Sequence, residues 1–113
     1  MKRLLVIRAG AIGDFVLTLP LLEAIRRTWA DAEVEILGYP WIAELAAGRR
    51  LAAGARRIDA MEWAPLFARG GELDPAERAY LASFDRVFCI WPDHDGVMRR
   101  NLESAGARDI LWA

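Results

Sequence analysis

A single carboxylate, Asp14, stands where the chain passes from its first apolar run into a helical segment. It closes the stretch Arg8-Ala-Gly-Ala-Ile-Gly-Asp14, which follows the apolar residues 4–7. Free backbone N–H groups at the start of a helix favour a carboxylate in its ionised form. Such a group can accept a proton as a general base, or it can serve only as a helix cap that contributes about 1 kcal/mol. The residues alone leave both roles open.

The glycines beside Asp14 do not complete a known phosphate-binding motif. Gly10 and Gly13 match the second and third glycines of the dinucleotide-binding fingerprint, and Arg8 stands where the first belongs. Gly38 follows the second apolar run, where that fingerprint leads one to expect a ribose-binding carboxylate. No glycine is followed by Lys-Ser or Lys-Thr, as a P-loop requires. We therefore expect neither NAD binding nor a P-loop.

His94 lies between Asp93 and Asp95, and these residue types can bind metals. Three consecutive residues on a loop do not readily converge on one ion, and the chain has 1 His and 1 Cys in all. We therefore expect no metal site and no cofactor, and we interpret Asp93 or Asp95 as the cap of a following helix. A hydrogen bond from His94 to a ligand stays open as a second interpretation.

Composition indicates one ordered domain, residues 1–113. Its 15 Lys and Arg against 16 Asp and Glu give a net charge of −1, which predicts no bulk attraction to nucleic acid. Cys89 has no partner for an internal disulfide and lies in an apolar run, so we expect a buried thiol. Arg8 and Asp14 interrupt the apolar start, unlike a signal peptide, and no apolar stretch is long enough for a membrane span. We expect a soluble, cytoplasmic protein.

Apolar runs alternate with helical segments along the whole chain. This pattern predicts an α/β fold with a Rossmann-like open parallel sheet and helices on both faces. The runs that we interpret as strands are residues 3–7, 33–37, 55–60, 85–91 and 109–112.

The predicted helices are marked by capping residues and prolines. Pro20 would remove a hydrogen bond inside a helix, so the first helix is expected to kink or restart near residues 18–20. Asp74 is expected to cap a helix over residues 74–83, and Gly106 to end the last helix. Two further segments are a short helix over residues 40–47 and a loop or broken helix over residues 61–73.

Ligands of open α/β sheets bind beyond the carboxyl ends of the strands. The residues that follow the predicted strands include Arg8, the stretch up to Asp14, and Trp91 to Asp95. Trp41, Trp63 and Trp91 either line a sugar- or lipid-facing cleft or belong to the core or a docking surface. The arginine pairs are interpreted as solvated faces, although some could meet phosphate groups or an anionic bilayer.

Residues 2–20, followed by 21–27 and 32–38, resemble the amino-terminal lobe of glycosyltransferase family 9, the lipopolysaccharide heptosyltransferases. The most specific part is the pattern G-D-x-x-L-T-x-P, which is residues 13–20 here. The resemblance covers the first half of the chain, to about residue 60.

This resemblance implies a metal-independent, inverting enzyme with two Rossmann-like lobes, the GT-B architecture. The carboxy-terminal lobe would hold a nucleotide-sugar donor such as ADP-heptose, and the amino-terminal lobe would approach a lipid A core-type acceptor. Asp14 matches the family's catalytic aspartate and would be the general base. The acceptor-side substrate-binding residues would be Arg8, Gly10, Ala11, Ile12, Gly13, Trp91 and His94.

A chain of 113 residues is too short for two such lobes. Its last predicted strand, 109–112, is followed by no helix, so we expect either an incomplete amino-terminal lobe or a partner, such as a second copy, that covers this strand. The isolated chain is expected to be inactive, with peripheral contact to the inner membrane as a further expectation. The alternative is a non-catalytic Rossmann-like module that binds a nucleotide or a partner protein and uses Asp14 only as a cap.

Overall fold

The computed structural model describes residues 2–8, 19–39, 53–91, 93 and 95–112. Within these ranges five strands form one sheet in the order β3-β2-β1-β4-β5, and every neighbouring pair is parallel. This arrangement confirms the predicted Rossmann-like open α/β sheet. The strands are β1 (Arg3–Arg8), β2 (Glu33–Gly38), β3 (Gly54–Arg57), β4 (Arg86–Ile90) and β5 (Ile110–Trp112).

The helical elements that the structure describes are three α-helices and one 3₁₀ helix. They are α1 (Leu19–Thr28), the 3₁₀ helix (Met61–Phe67), α2 (Pro75–Ala82) and α3 (Val97–Ser104). No helix among the described residues is long and apolar enough to cross a membrane.

The central strand β1 is apolar without alternation because both of its faces are covered. Leu5 and Ile7 pack into one cluster with residues of the 3₁₀ helix, α2 and α3, whereas Leu4 and Val6 pack into another with α1. All four side chains are buried, as a parallel sheet between helical layers requires. The predicted helices on both faces are therefore present.

Trp63 belongs to the larger of these two clusters. Its side chain is 1% exposed, and its ring lies edge-on to Tyr80 of α2 at 5.8 Å between centroids. Of the two interpretations given for Trp63, the core position is confirmed and the cleft position is wrong. The strand that precedes it is short and exposed, so this tryptophan turns inward from the 3₁₀ helix instead of standing at a strand end.

Helix α1 covers the opposite face through Leu22 and Ile25. The helix begins at Leu19, so Pro20 occupies its first turn, where a missing N–H removes no intrahelical hydrogen bond. A helix start near residue 20 agrees with the prediction of a kink or restart at residues 18–20. The helical turn expected directly after Asp14 lies outside the described residues.

Several predicted boundaries differ from the structure. β3 ends at Arg57, three residues before the predicted end, because the chain turns there into the 3₁₀ helix. The segment 61–73, predicted as a loop or broken helix, consists of this 3₁₀ helix (Met61–Phe67) followed by turns and irregular chain. Asp74 stands at the N-cap position of α2, but its side chain makes no capping hydrogen bond, so that part of the prediction is wrong. The helix predicted over residues 40–47 lies outside the described residues.

Candidate functional site

The order of the strands reverses between β1 and β4. β2 and β3 follow β1 on one side, whereas β4 and β5 lie on its other side, so the carboxyl ends of β1 and β4 border the crevice in which open α/β sheets bind ligands. Arg8 ends β1 opposite Ile90 of β4, and its Nη1 donates a hydrogen bond of 3.4 Å to the Ile90 carbonyl. The half-buried Arg8 side chain therefore spans the two central strand ends.

Two of the predicted site residues are brought to this edge. Arg8 stands at the end of β1, and Trp91 follows the last residue of β4. The other predicted site residues lie outside the described residues, and their roles stay predictions: Gly10, Ala11, Ile12, Gly13, Asp14 and His94.

Both Asp93 and Asp95 cap the start of α3, where the sequence predicted one of the two as the cap. The two carboxylate oxygens of Asp93 accept hydrogen bonds from the backbone N–H groups of Met98 and Arg99, at 3.1 and 3.0 Å. Asp95 Oδ1 accepts from the N–H of Val97 at 3.1 Å. The first three N–H groups of the helix, which would otherwise lack intrahelical partners, are thus already bonded to carboxylates.

The loop can place both aspartates because Gly96 separates Asp95 from the helix. Gly96 has φ of 73°, in the left-handed region that glycine enters without steric cost. The helix start is the position at which doubly wound folds commonly bind phosphate. In this chain the same position after β4 is filled by the chain's own negative charges.

An open cavity of about 290 Å³ lies beside this helix start. One wall is an aromatic pair, Phe67 of the 3₁₀ helix and Trp91, whose ring centroids are 5.2 Å apart at an interplanar angle of 44°. We call this the aromatic cavity. Its lining residues are Leu66, Phe67, Trp91, Asp93, Asp95, Val97 and Met98.

Asn101 of α3 holds the 3₁₀ helix in place beside the aromatic cavity. Its side chain is 5% exposed, and its Nδ2 donates to the carbonyls of Pro65, Leu66 and Ala68 at 3.0, 3.0 and 2.8 Å. The chain then passes close by at Gly71, where a Cβ atom would lie 1.9 Å from the Pro65 carbonyl oxygen. The wall that carries Phe67 is therefore fixed by side-chain hydrogen bonds and close backbone packing.

Sequence reasoning did not identify Phe67 or Asn101. Asn101 could have been noticed as a polar residue on the apolar face of its helix, because Met98 and Leu102, which are buried with it, stand three residues before it and one after. Phe67 carries no comparable signal, since nothing local to it indicates a contact with Trp91.

Cys89 lies behind the cavity and is fully buried. Burial, and to a smaller extent the negative charge of Asp93, raise the pKa of its thiol to about 12. Its Sγ lies 3.9 Å from the Sδ of Met98. The predicted buried position is confirmed, and the thiol is held in its protonated form.

A polar cluster at the opposite, amino-terminal edge of the sheet serves packing. Arg3 pairs with Glu35 at 2.7 Å, and the Tyr80 hydroxyl donates to the other oxygen of Glu35 at 2.9 Å. Burial, followed by the hydrogen bond to Glu35 and the charge of that residue, raises the pKa of Tyr80. Among the described residues no group of His, Cys, Asp and Glu is arranged to hold a metal ion.

No family model, curated protein or solved structure matches this chain.

Proposed function

We propose that this chain is the acceptor-side domain of a family 9 glycosyltransferase, one that transfers heptose or a related sugar from a nucleotide-sugar to the lipopolysaccharide core. The observation that carries the proposal is the pattern at residues 13–20, which runs from the segment after β1 into the first turn of α1. β1 is the strand at which the sheet order reverses, so the pattern follows the strand end where such folds bind ligands.

In this proposal Asp14 acts as the general base. Its carboxylate takes the proton of an acceptor hydroxyl while that oxygen attacks the anomeric carbon of the donor sugar. The bond from the anomeric carbon to the diphosphate breaks, and the nucleoside diphosphate leaves with the bonding electrons. Attack from the face opposite the leaving group inverts the anomeric configuration.

The described geometry supports an acceptor role more than a nucleotide-binding one. The N–H groups at the start of α3, which could have held a phosphate, already bond Asp93 and Asp95. The neighbouring aromatic cavity offers ring faces and hydrogen-bond acceptors, which suit a sugar. For the nucleotide-binding form of the alternative, the described part of this edge offers no free N–H group in the first three residues of α3.

The resembled family holds its donor mainly on a second lobe, so we propose that the 113-residue chain alone transfers no sugar. A cytoplasmic location with peripheral contact to the inner membrane is part of the same proposal, since lipid A core-type acceptors are anchored in that membrane. The purified chain should release no ADP from ADP-heptose in a coupled assay with a deacylated core acceptor. Turnover by the chain alone would contradict this.

The test of the catalytic role uses the chain joined to the donor lobe of a family 9 enzyme. Asp14→Asn should lower the rate of ADP release by about 10²–10⁴-fold, the usual contribution of a positioned general base. Asp74→Asn is the matched control, because Asp74 is an exposed aspartate at a helix start whose side chain makes no capping hydrogen bond. If Asp14→Asn changes only stability, as a cap would, the alternative function is favoured.

A further inference from the structure

The aromatic cavity is walled by side chains that remain partly open to solvent. Phe67 is 46% exposed, although its 3₁₀-helix neighbours Trp63 and Leu66 are buried. The ring contacts Trp91, and hydrogen bonds from Asn101 fix the backbone on both sides of it, at Leu66 and Ala68. An aromatic surface that is both rigid and accessible binds apolar faces at a low cost in conformational entropy.

The polar wall of the cavity accepts hydrogen bonds and carries negative charge. A carboxylate has about four lone-pair positions. Asp93 uses two for backbone N–H groups and Asp95 uses one, so acceptor positions remain on both side chains. Such positions suit the hydroxyl groups of a ligand, whereas an anion meets repulsion from both carboxylates.

The size of the cavity limits its occupant. About 290 Å³ is at the lower end of the range for small-molecule sites, which is roughly 300–1,000 Å³. A single sugar ring suits this space better than a nucleoside diphosphate.

We propose that the aromatic cavity binds one uncharged sugar ring, with an apolar face against Phe67 and Trp91 and hydroxyls donating to Asp93 and Asp95, and that it rejects phosphorylated sugars. The choice of a sugar as ligand rests on the function proposed above, and the proposal deepens that function by assigning this cavity to a neutral sugar unit of the acceptor.

The experiment titrates the ¹⁵N-labelled chain with methyl hexopyranosides and follows the indole N–H of Trp91. We expect saturable shifts with a Kd on the order of 1 mM, a typical affinity for so small a ligand. The 6-phosphate of the same sugar should bind at least about fivefold more weakly, as expected for one like charge at about 4 Å in water.

Two variants and one control test the walls separately. Phe67→Ala should weaken glycoside binding about fivefold. Met61→Ala, on the same 3₁₀ helix but 88% exposed and outside the cavity, should leave binding unchanged. Asp95→Asn keeps an oxygen that can accept from the Val97 N–H, so it should preserve the fold. Because it removes one negative charge, it should reduce the difference in Kd between the neutral and the phosphorylated sugar. This variant decides the matter if Phe67→Ala disturbs the circular dichroism spectrum.

The proposal would be overturned by any one of three results. These are the absence of saturable glycoside binding, equal effects of Phe67→Ala and Met61→Ala on that binding, and binding of the phosphorylated sugar as tight as that of the neutral sugar. The titration needs no donor and leaves Asp14 intact. Glycoside binding without any transfer in the joined enzyme would therefore refute the proposed function alone. Transfer without binding at this cavity would refute only the present inference.

Discussion

Replacement of Asn101 by alanine should remove the side-chain hydrogen bonds that hold the 3₁₀ helix against α3. The side-chain amide has two hydrogens, and the structure places three carbonyl oxygens within 2.8–3.0 Å of its nitrogen. Two net hydrogen bonds contribute about 1 kcal/mol each, and a buried carbonyl left without a partner costs roughly another 1–3 kcal/mol. We therefore expect Asn101→Ala to lower the free energy of unfolding by about 3–5 kcal/mol, a large part of the total for a domain of this size.

Urea unfolding followed by circular dichroism measures this loss. Glu103→Ala is the matched control, because Glu103 is exposed on the same helix, and its replacement should change stability by less than about 0.5 kcal/mol. Asn101→Asp keeps the size of the side chain but sets a carboxylate against three carbonyl oxygens. Those oxygens should raise the pKa of the new carboxyl in the folded state. The variant should therefore be least destabilised below about pH 4 and lose further stability as the pH rises.

Asn101→Ala would contradict this expectation if it were as stable as Glu103→Ala. Asn101→Asp would contradict it if it were no less stable than the native chain at neutral pH. Either result would mean that the packing of the 3₁₀ helix, and not its hydrogen bonds to Asn101, holds it against α3. Loss of glycoside binding in Asn101→Ala at a temperature where the chain stays folded would show that the hydrogen bonds of Asn101 position the wall of the aromatic cavity.

Four further outcomes are expected. Gly71→Ala should destabilise the chain by more than about 2 kcal/mol in urea unfolding, because its Cβ would lie 1.9 Å from a backbone oxygen. A Cβ atom at Gly70 would have no other atom within 4 Å. Gly70→Ala should therefore lower the free energy of unfolding only by the strain of its positive φ, about 1–2 kcal/mol. Burial raises the pKa of Cys89 to about 12, so above pH 9 the unfolded chain loses this proton while the folded chain keeps it. The free energy of unfolding should therefore fall by about 1.4 kcal/mol per pH unit above pH 9. The fall should be less steep in Cys89→Ala. A double-mutant cycle of Arg3→Met and Glu35→Gln should give a coupling of about 1 kcal/mol, and additivity would contradict the pairing.

The architecture could be predicted from local patterns because each strand of a covered parallel sheet must be apolar on both faces. Residues 4–7 and 87–89 are such runs, and both are buried in the structure. Helix starts could be predicted where a proline or an aspartate stands at a position that tolerates or caps free N–H groups, as at Pro75. These effects act within one or two turns of chain, so the sequence displays them directly.

The candidate site could be predicted only in part. The rule that ligands bind at strand ends led to Arg8 and Trp91, and the structure brings both to the edge where the strand order reverses. Asp14 and His94, predicted from the same rule, lie outside the described residues, so their roles stay predictions. Trp63 follows the same rule in the sequence but is buried, because β3 ends early and the next turn points this residue into the core.

The sequence by itself determined the alternation of strands and helices, the burial of Cys89 and the start of a helix next to Pro20. The tertiary structure decided which distant side chains meet: Phe67 against Trp91, Asn101 against the 3₁₀ helix, and both aspartates at one helix start. Backbone periodicity is a local property, whereas these contacts depend on how α3 and the 3₁₀ helix pack on one face of the sheet. That packing is settled by burial of the whole apolar cluster and not by any short segment of the chain.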